Sequence, residues 1–212
     1  MPGKIVQFTT VSLDGYIEGE DHDISWHRVD EELHRHLNEE LAAMGGFLSG
    51  RRTHMLMAEF WPNADTDPEC TPAMREFAGI WRSTPKVVYS TTLERADWNT
   101  TVVSRVDADE VRALAAAADG DLALSGAELS AAFRELDLID AYQLYVDPVL
   151  IGRGTPLFPP TDTGASLRLE RTRSFGNGVV LLRYERERGT AGGAERAALR
   201  IEERQVTTTE GE

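Results

Sequence analysis

The chain has 212 residues, 41% of them hydrophobic and 27% charged, with a net charge of −14. This is the make-up of one soluble globular core. It excludes a helical membrane span, which needs ~18 consecutive apolar residues, and a general nucleic-acid binder, which needs a basic footprint. With Cys70 as the only cysteine, an internal disulfide and a thiolate metal cluster are also excluded.

Met1-Pro2-Gly3-Lys4-Ile5-Val6 runs directly into a strand and lacks the zones of a signal peptide, so a cytoplasmic protein is expected. Ile5 to Val11 is a β-rich run closed by the turn Ser12-Leu13-Asp14-Gly15. Val29, Leu33, Leu37, Leu41 and Met44 form a helical stripe that Gly45-Gly46 ends. Phe47-Leu48-Ser49 is a short strand, Arg52 to Phe60 a helix, and Trp61 to Pro68 a loop. Thr71 with Pro72 reads as an N-cap and first helical position, placing a short helix over Ala73–Trp81.

Lys86–Ser90 and Thr101–Val103 read as strands, and Asp107 caps a helix to Ala118. Leu122-Ala123-Leu124 is a strand feeding Ser125-Gly126, followed by a helix over Ala127–Glu135. Ile139–Val146 is a strand, and Pro148–Gly154 leads into a loop ending at Pro159-Pro160. Leu167–Ser174 and Val179–Arg186 flank Phe175-Gly176-Asn177-Gly178, a strong hairpin signal. Strands alternate with helices up to Val146 and a hairpin closes the chain. That order predicts an α/β sheet, mostly parallel, with antiparallel strands at one end. Residues 1–188 form one domain, and 189–212 read as a charged, mobile tail.

Four segments place small, hydroxyl or basic residues just after a strand: Ser12 to Gly15, Gly50-Arg51-Arg52-Thr53, Ser90-Thr91 and Ser125-Gly126-Ala127-Glu128-Leu129. Backbone N–H groups at strand-to-helix turns favour an anion, and several such turns on one sheet edge would cradle a phosphate-rich cofactor. An arginine fork with clustered hydroxyls suits a phosphate monoester better than a bare ribose diol. Between Asp14 and Glu32 lie eight acids against Arg28 alone. The five histidines, at 22, 27, 34, 36 and 54, show no metal-ligand partners and read as surface residues. No metal site is expected.

The motifs and their order resemble the dihydrofolate-reductase-like superfamily, and most closely the reductase domain of the bifunctional riboflavin-biosynthesis deaminase-reductase. Ser-Leu-Asp-Gly-Tyr-Ile at 12–17, Gly-Arg-Arg-Thr at 50–53, Phe-Trp-Pro at 60–62 and Lys-Val-Val-Tyr-Ser-Thr-Thr-Leu at 86–93 carry the likeness. So do Ser-Gly-Ala-Glu-Leu at 125–129 and Pro-Val-Leu-Ile-Gly-Arg-Gly-Thr-Pro-Leu-Phe at 148–158. It covers residues 4–186 and implies a three-layer α/β fold that binds NADPH along the C-terminal edge of its sheet.

By that resemblance Gly50 lets the backbone approach the cofactor, Arg51 pairs with the 2′-phosphate, and Arg52 and Thr53 lie beside the pyrophosphate. Ser90 and Thr91 add hydroxyls near the adenosine end, and Ser125, Gly126, Ala127, Glu128 and Leu129 offer N–H groups nearer the nicotinamide. Relatives often have a cis peptide in the glycine pair, so Ser125–Gly126 is expected to be cis. Asp14 lies over the nicotinamide and either orients substrate or relays a proton, or else is a turn carboxylate bonded to backbone. Trp26 would stack on a flat substrate, or is core. The chain departs from its relatives at Ser125-Gly126, at Asp140-Ala141 and at Asp147, and it lacks the deaminase's zinc signature.

The implied activity is NADPH-dependent hydride transfer to a small planar heterocycle (pterin, pyrimidine or flavin-like) or a conjugated carbonyl or imine. Alternatives are a nucleotide-binding protein without chemistry, a structural dimer module, and the riboflavin-pathway uracil reductase. Its acid-rich segment would disfavour phosphorylated substrates. The apolar residues from Ile139 to Phe158 predict a two-fold homodimer.

Overall fold

The computed structural model describes residues 2–161 and 164–188; the expected tail lies outside them. The chain runs β1 (Ile5–Ser12), β2 (Tyr16–Glu18), α1 (Glu31–Ala42), β3 (Gly46–Gly50), α2 (Arg51–Phe60), a 3₁₀ turn (Trp61–Thr66) and α3 (Pro72–Ser83). It continues β4 (Lys86–Tyr89), β5 (Thr100–Val103), α4 (Ala108–Ala117), β6 (Leu122–Ser125), α5 (Ala127–Glu135), β7 (Ala141–Asp147), β8 (Thr155–Pro156), β9 (Leu167–Ser174) and β10 (Val180–Arg186).

Eight strands form one sheet in the order β5-β4-β3-β6-β1-β7-β10-β9. Every pairing from β5 to β7 is parallel, and β10 joins β7 and β9 antiparallel. The expected parallel sheet with a terminal antiparallel hairpin is therefore present. The hairpin forms as its Gly-Asn-Gly signal requires, with Gly178 N–H donating to Phe175 O at 3.0 Å and Phe175 N–H to Val179 O at 2.9 Å.

Helices cover both faces. Val111 and Ala115 of α4 and Leu129 and Phe133 of α5 pack on Ile5, Val11, Leu48 and Leu124 from one side. On the other, Leu33 of α1 packs on Tyr145, Phe175 and Leu181. There α3 packs on α1 and receives the stack of His54 from α2 on Trp81.

Several boundaries differ from the sequence reading. Helix α1 starts at Glu31, not Val29, because the Asp30 side chain caps it by accepting Leu33 N–H at 2.9 Å. The expected loop after Phe60 winds into a 3₁₀ turn, held at its end by Thr66 Oγ1 donating to Asn63 O at 2.7 Å. A two-stranded ribbon, β2 with β8, was not foreseen, since strands this short carry no alternation.

His36 and His54 are buried rather than exposed, since aromatic neighbours on α3, β7 and the hairpin enclose them. Among the described residues every peptide bond is trans, Ser125–Gly126 included. Gly126 makes that turn instead through φ +96°, a conformation L side chains avoid.

Candidate functional site

Parallel strands end together, so the turns that follow β4, β3, β6, β1 and β7 share one edge of the sheet. The residues singled out above fall there in spatial order. Ser90-Thr91 follow β4, Gly50 to Thr53 span the end of β3 and the first turn of α2, and Ser125 to Leu129 span the end of β6 and the first turn of α5. Asp14 follows β1, and Asp147 ends β7.

The helices of this edge start differently from the others. Helices α1, α3 and α4 are capped by the side chains of Asp30, Thr71 and Asp107. Helices α2 and α5 have glycine N-caps, Gly50 and Gly126, with no side-chain cap bond. The first N–H groups of a helix have no partner within it, so these two termini keep their donors for something else. They leave adjacent strands, where Ser49 is register partner to Ser125. They also touch, since a Cβ on Gly126 would lie 3.0 Å from Thr53 Oγ1. A Cβ on Gly50 would meet nothing within 4 Å, which leaves room for a ligand against that backbone.

The side chains are not equivalent. Arg51 is exposed and makes no hydrogen bond or ion pair among the described residues. Arg52 is ion-paired with Glu18 of β2. Glu18 also accepts from Thr155 Oγ1 at 2.7 Å and pairs with His22 Nδ1 at 3.1 Å. Burial pushes the Glu18 carboxyl up, but Arg52, Thr155 and His22 together hold it below the usual range.

Ser90 Oγ accepts the N–H groups of Thr92, at 3.2 Å, and Leu93, at 3.0 Å, leaving its own proton to donate outward. Thr91 beside it is exposed. Ala127 is half-buried, Glu128 is exposed, and the Leu129 side chain belongs to the core, so that only its N–H faces the turn's chemistry. Ser130 N–H is the first to close an α5 bond, onto Gly126 O at 3.0 Å.

Asp14 is an exposed carboxylate with three donors: Ser12 Oγ at 2.7 Å, Gly152 N–H at 2.7 Å and Ile151 N–H at 3.2 Å. The Ser12 hydroxyl, then the Gly152 and Ile151 amides, hold its pKa below the usual range. Asp14 thus ties the β1 turn to the loop after β7. Trp26 is half-buried, donates Nε1–H to Asp23 O at 3.1 Å and meets the His27 ring edge-on at 4.3 Å.

Asp147 entered the sequence reading only as a departure from relatives. In the structure it is 1% exposed, accepts Arg28 N–H at 2.9 Å and is pushed up by burial. Its position directly after Leu144-Tyr145-Val146 at the end of β7 was the one available signal.

The acid-rich segment is less bare than its composition. Glu18 pairs with Arg52, Glu20 with Arg153, Glu31 with Arg35 and Glu32 with Arg173. Asp23 and Asp30 bond to backbone N–H groups, as Asp14 does. An open groove of about 470 Å³ lies at the opposite end of the strands, between Met44, Asp121 and Arg183. Its arginines are committed, Arg171 to Glu40 and Arg183 to Glu170, so we place no site there.

The residues present fit a dinucleotide phosphate: two adjoining helix N-termini without side-chain caps, an arginine unpaired among the described residues, and two hydroxyls on three adjacent strands. The fold and this edge define a dihydrofolate-reductase-like α/β protein. The family model for the RibD C-terminal domain matches residues 3–181, and the chain belongs to that family. An uncharacterized Bacillus subtilis protein, YyaP, is 30% identical over 183 residues, spanning 85% of this chain and 94% of its own.

Among solved structures, a putative riboflavin biosynthesis protein from Shewanella sp. PV-4 superposes with TM-score 0.66 at 22% identity. The match covers 89% of this chain and 100% of that one. A dihydrofolate reductase from Enterococcus faecalis, complexed with NADP(H), superposes with TM-score 0.58 at 17% identity, covering 89% of this chain and 99% of that one. Family and fold point to a reductase.

Proposed function

We propose that the protein is an NADPH-dependent reductase of a small planar heterocycle or a conjugated carbonyl or imine. The observation that carries this is the contact between two glycine-capped helix N-termini on adjacent strands, flanked by the unpaired Arg51. The N–H groups of α2 and α5 would hold the pyrophosphate, where the helix dipoles favour negative charge. Arg51, with the hydroxyls of Ser90 and Thr91, would hold the 2′-phosphate through charge-assisted bonds. When bound, the cofactor supplies the hydride.

Arg52 serves differently from a free phosphate ligand: its pairing with Glu18 fastens the β2–β8 ribbon to the first turn of α2. Asp14, ionised and held by three donors, fixes the two loops that border the substrate. Trp26 offers an aromatic face on the loop before α1. The family match and the likeness to a putative riboflavin biosynthesis protein support a second reading, reduction of a ribosylamino-uracil phosphate. The arginine partners of Glu18, Glu20, Glu31 and Glu32 weaken the electrostatic objection to a phosphorylated substrate.

We also propose a two-fold homodimer. Phe158 and Leu169 remain 48% and 51% exposed, and β9 is exposed along its whole length. The test of the activity is NADPH oxidation, followed by loss of nicotinamide absorbance, against pterins, flavins, pyrimidines and the phosphorylated uracil. Turnover of any of them supports a reductase. Tight NADPH binding with no turnover across the panel would favour a binding protein without chemistry.

A further inference from the structure

We infer that Asp147 is the acid of the reaction site, presenting a proton from Oδ2 to the substrate atom that gains electron density. This rests on the reductase reading above.

Three observations converge. The first is place. Asp147 ends β7 and is register partner to Ser12 at the end of β1, so its carboxyl stands at the same edge as the cofactor turns and the Asp14 loop. Tyr145, two residues earlier and so on the same side of the strand, packs under α1, which puts Asp147 beneath the loop carrying Trp26 and Arg28.

The second is the way its two oxygens are used. Oδ1 accepts Arg28 N–H at 2.9 Å. Oδ2 accepts no hydrogen bond among the described residues, which leaves it able to carry a proton. A carboxyl retained only to pin the Arg28 amide would do no better than an asparagine, whose amide oxygen accepts the same bond. What the acid adds is the second oxygen.

The third is charge. No cation lies within ion-pairing distance of Asp147 among the described residues. From β1 it faces Ser12, whose hydroxyl is donated to Asp14. From the loop before α1 it faces Arg28, the one charged group that acts on it. A buried carboxylate without a counter-ion is costly, and the neutral acid relieves that cost. Asp14 and Asp147 stand at one edge with their proton affinities driven apart, Asp14 down by its donors and Asp147 up by burial. Such a split assigns the acid.

The step balances as follows. Hydride adds to the carbon of a C=N or C=O bond, and the π pair moves to the nitrogen or oxygen. That atom takes the proton from Asp147 Oδ2, leaving a carboxylate that regains a proton from water. The substrate gains two electrons and the nicotinamide loses them.

The test compares wild type with Asp147→Asn. In wild-type protein labelled with ¹³C at aspartate carboxyls, one resonance should titrate above the ordinary aspartate range, and the variant should lack it. NADPH affinity, read by fluorescence quenching, should agree within about twofold between the two. On a substrate from the panel above, the variant's kcat should fall about 10²-fold or more. The wild type's loss of rate as pH rises should vanish with it.

Failure of wild-type protein to bind NADPH would sink the reductase reading. Intact NADPH binding with an ordinary Asp147 titration, or with undiminished turnover by the variant, would sink the acid alone. Should the variant not fold, the wild-type titration still decides.

Discussion

Arg51 and Arg52 stand side by side in the first turn of α2, and Glu18 claims only the second of them. Sequence spacing could not separate the two, because the partner of Arg52 comes from β2, far away along the chain. Arg51→Ala should therefore weaken NADPH by about 1.5–3 kcal/mol, the value of a hydrogen bond to a charged group. NADH, which lacks the 2′-phosphate, should lose little. Parallel titrations with both cofactors check this, and equal losses would remove Arg51 from the 2′-phosphate.

Lys86 is a second residue whose environment dominates. It is buried at the start of β4, donates to Thr84 O at 2.7 Å and to Trp81 O, and lies over the Trp81 ring. Burial lowers its pKa from 10.5 to about 8. The folded state then holds fewer protons than the unfolded chain between those two values, so the lysine's contribution to stability rises with pH across that window. Relative to Lys86→Met, wild type should gain up to about 3 kcal/mol from pH 8 to pH 10.5, using 1.36 kcal/mol per pKa unit. Denaturant titrations at the two pH values read the difference. A gap that stays constant would show that the lysine keeps its proton.

At the scale of elements, β1, β4, β7, α4, α5 and the hairpin were legible from β-rich runs, the Asp107 cap and turn signals, and each lies within two residues of its expected bounds. Short pieces were not. The ribbon β2–β8 has too few residues for alternation, and it exists because tertiary contacts hold it: Glu18 to Arg52 and Thr155, and Gly154 against Glu18. A Cβ on Gly154 would lie 2.0 Å from Glu18 O, at φ +145°.

Gly154→Ala should therefore cost about 2–4 kcal/mol, as overpacking and backbone strain combine. Gly79, inside α3 with nothing within 4 Å of an added Cβ, gives the contrast. There alanine should stabilise by about 0.5–1 kcal/mol through helix propensity. Thermal melts of both variants measure the pair, and a tolerated Gly154→Ala would mean the ribbon does not hold its place by that contact.

For the molecule as a whole, the order of turns along the sheet edge was legible because strand polarity alone puts them there. What the sequence hid was side-chain commitment. The acids from Asp14 to Glu32 look like a free negative field, but folding brings Arg52, Arg153 and Arg173 to three of them, and Arg35 pairs with Glu31 one turn away on α1. Asp147 was largely hidden too, since the loop that buries it is distant in sequence and only the apolar residues just before it hint at its burial.

The apolar run from Ile139 to Phe158 divides likewise. Leu144 and Leu157 enter the protein's own core, while Leu150 stays 69% exposed and Phe158 lies open beside Tyr142. Phe158→Glu should therefore break the proposed dimer without unfolding the protomer. Light scattering at micromolar concentration reads this, and a monomeric wild type would remove the dimer.

Equilibrium binding of NADPH and NADH to the wild-type protein, by calorimetry at one salt concentration, tests the cofactor edge most directly. The bare helix N-termini and unpaired Arg51 require NADPH to bind at least tenfold more tightly than NADH, a difference of about 1.4 kcal/mol. Equal affinity for the two, or binding of neither, would contradict the account.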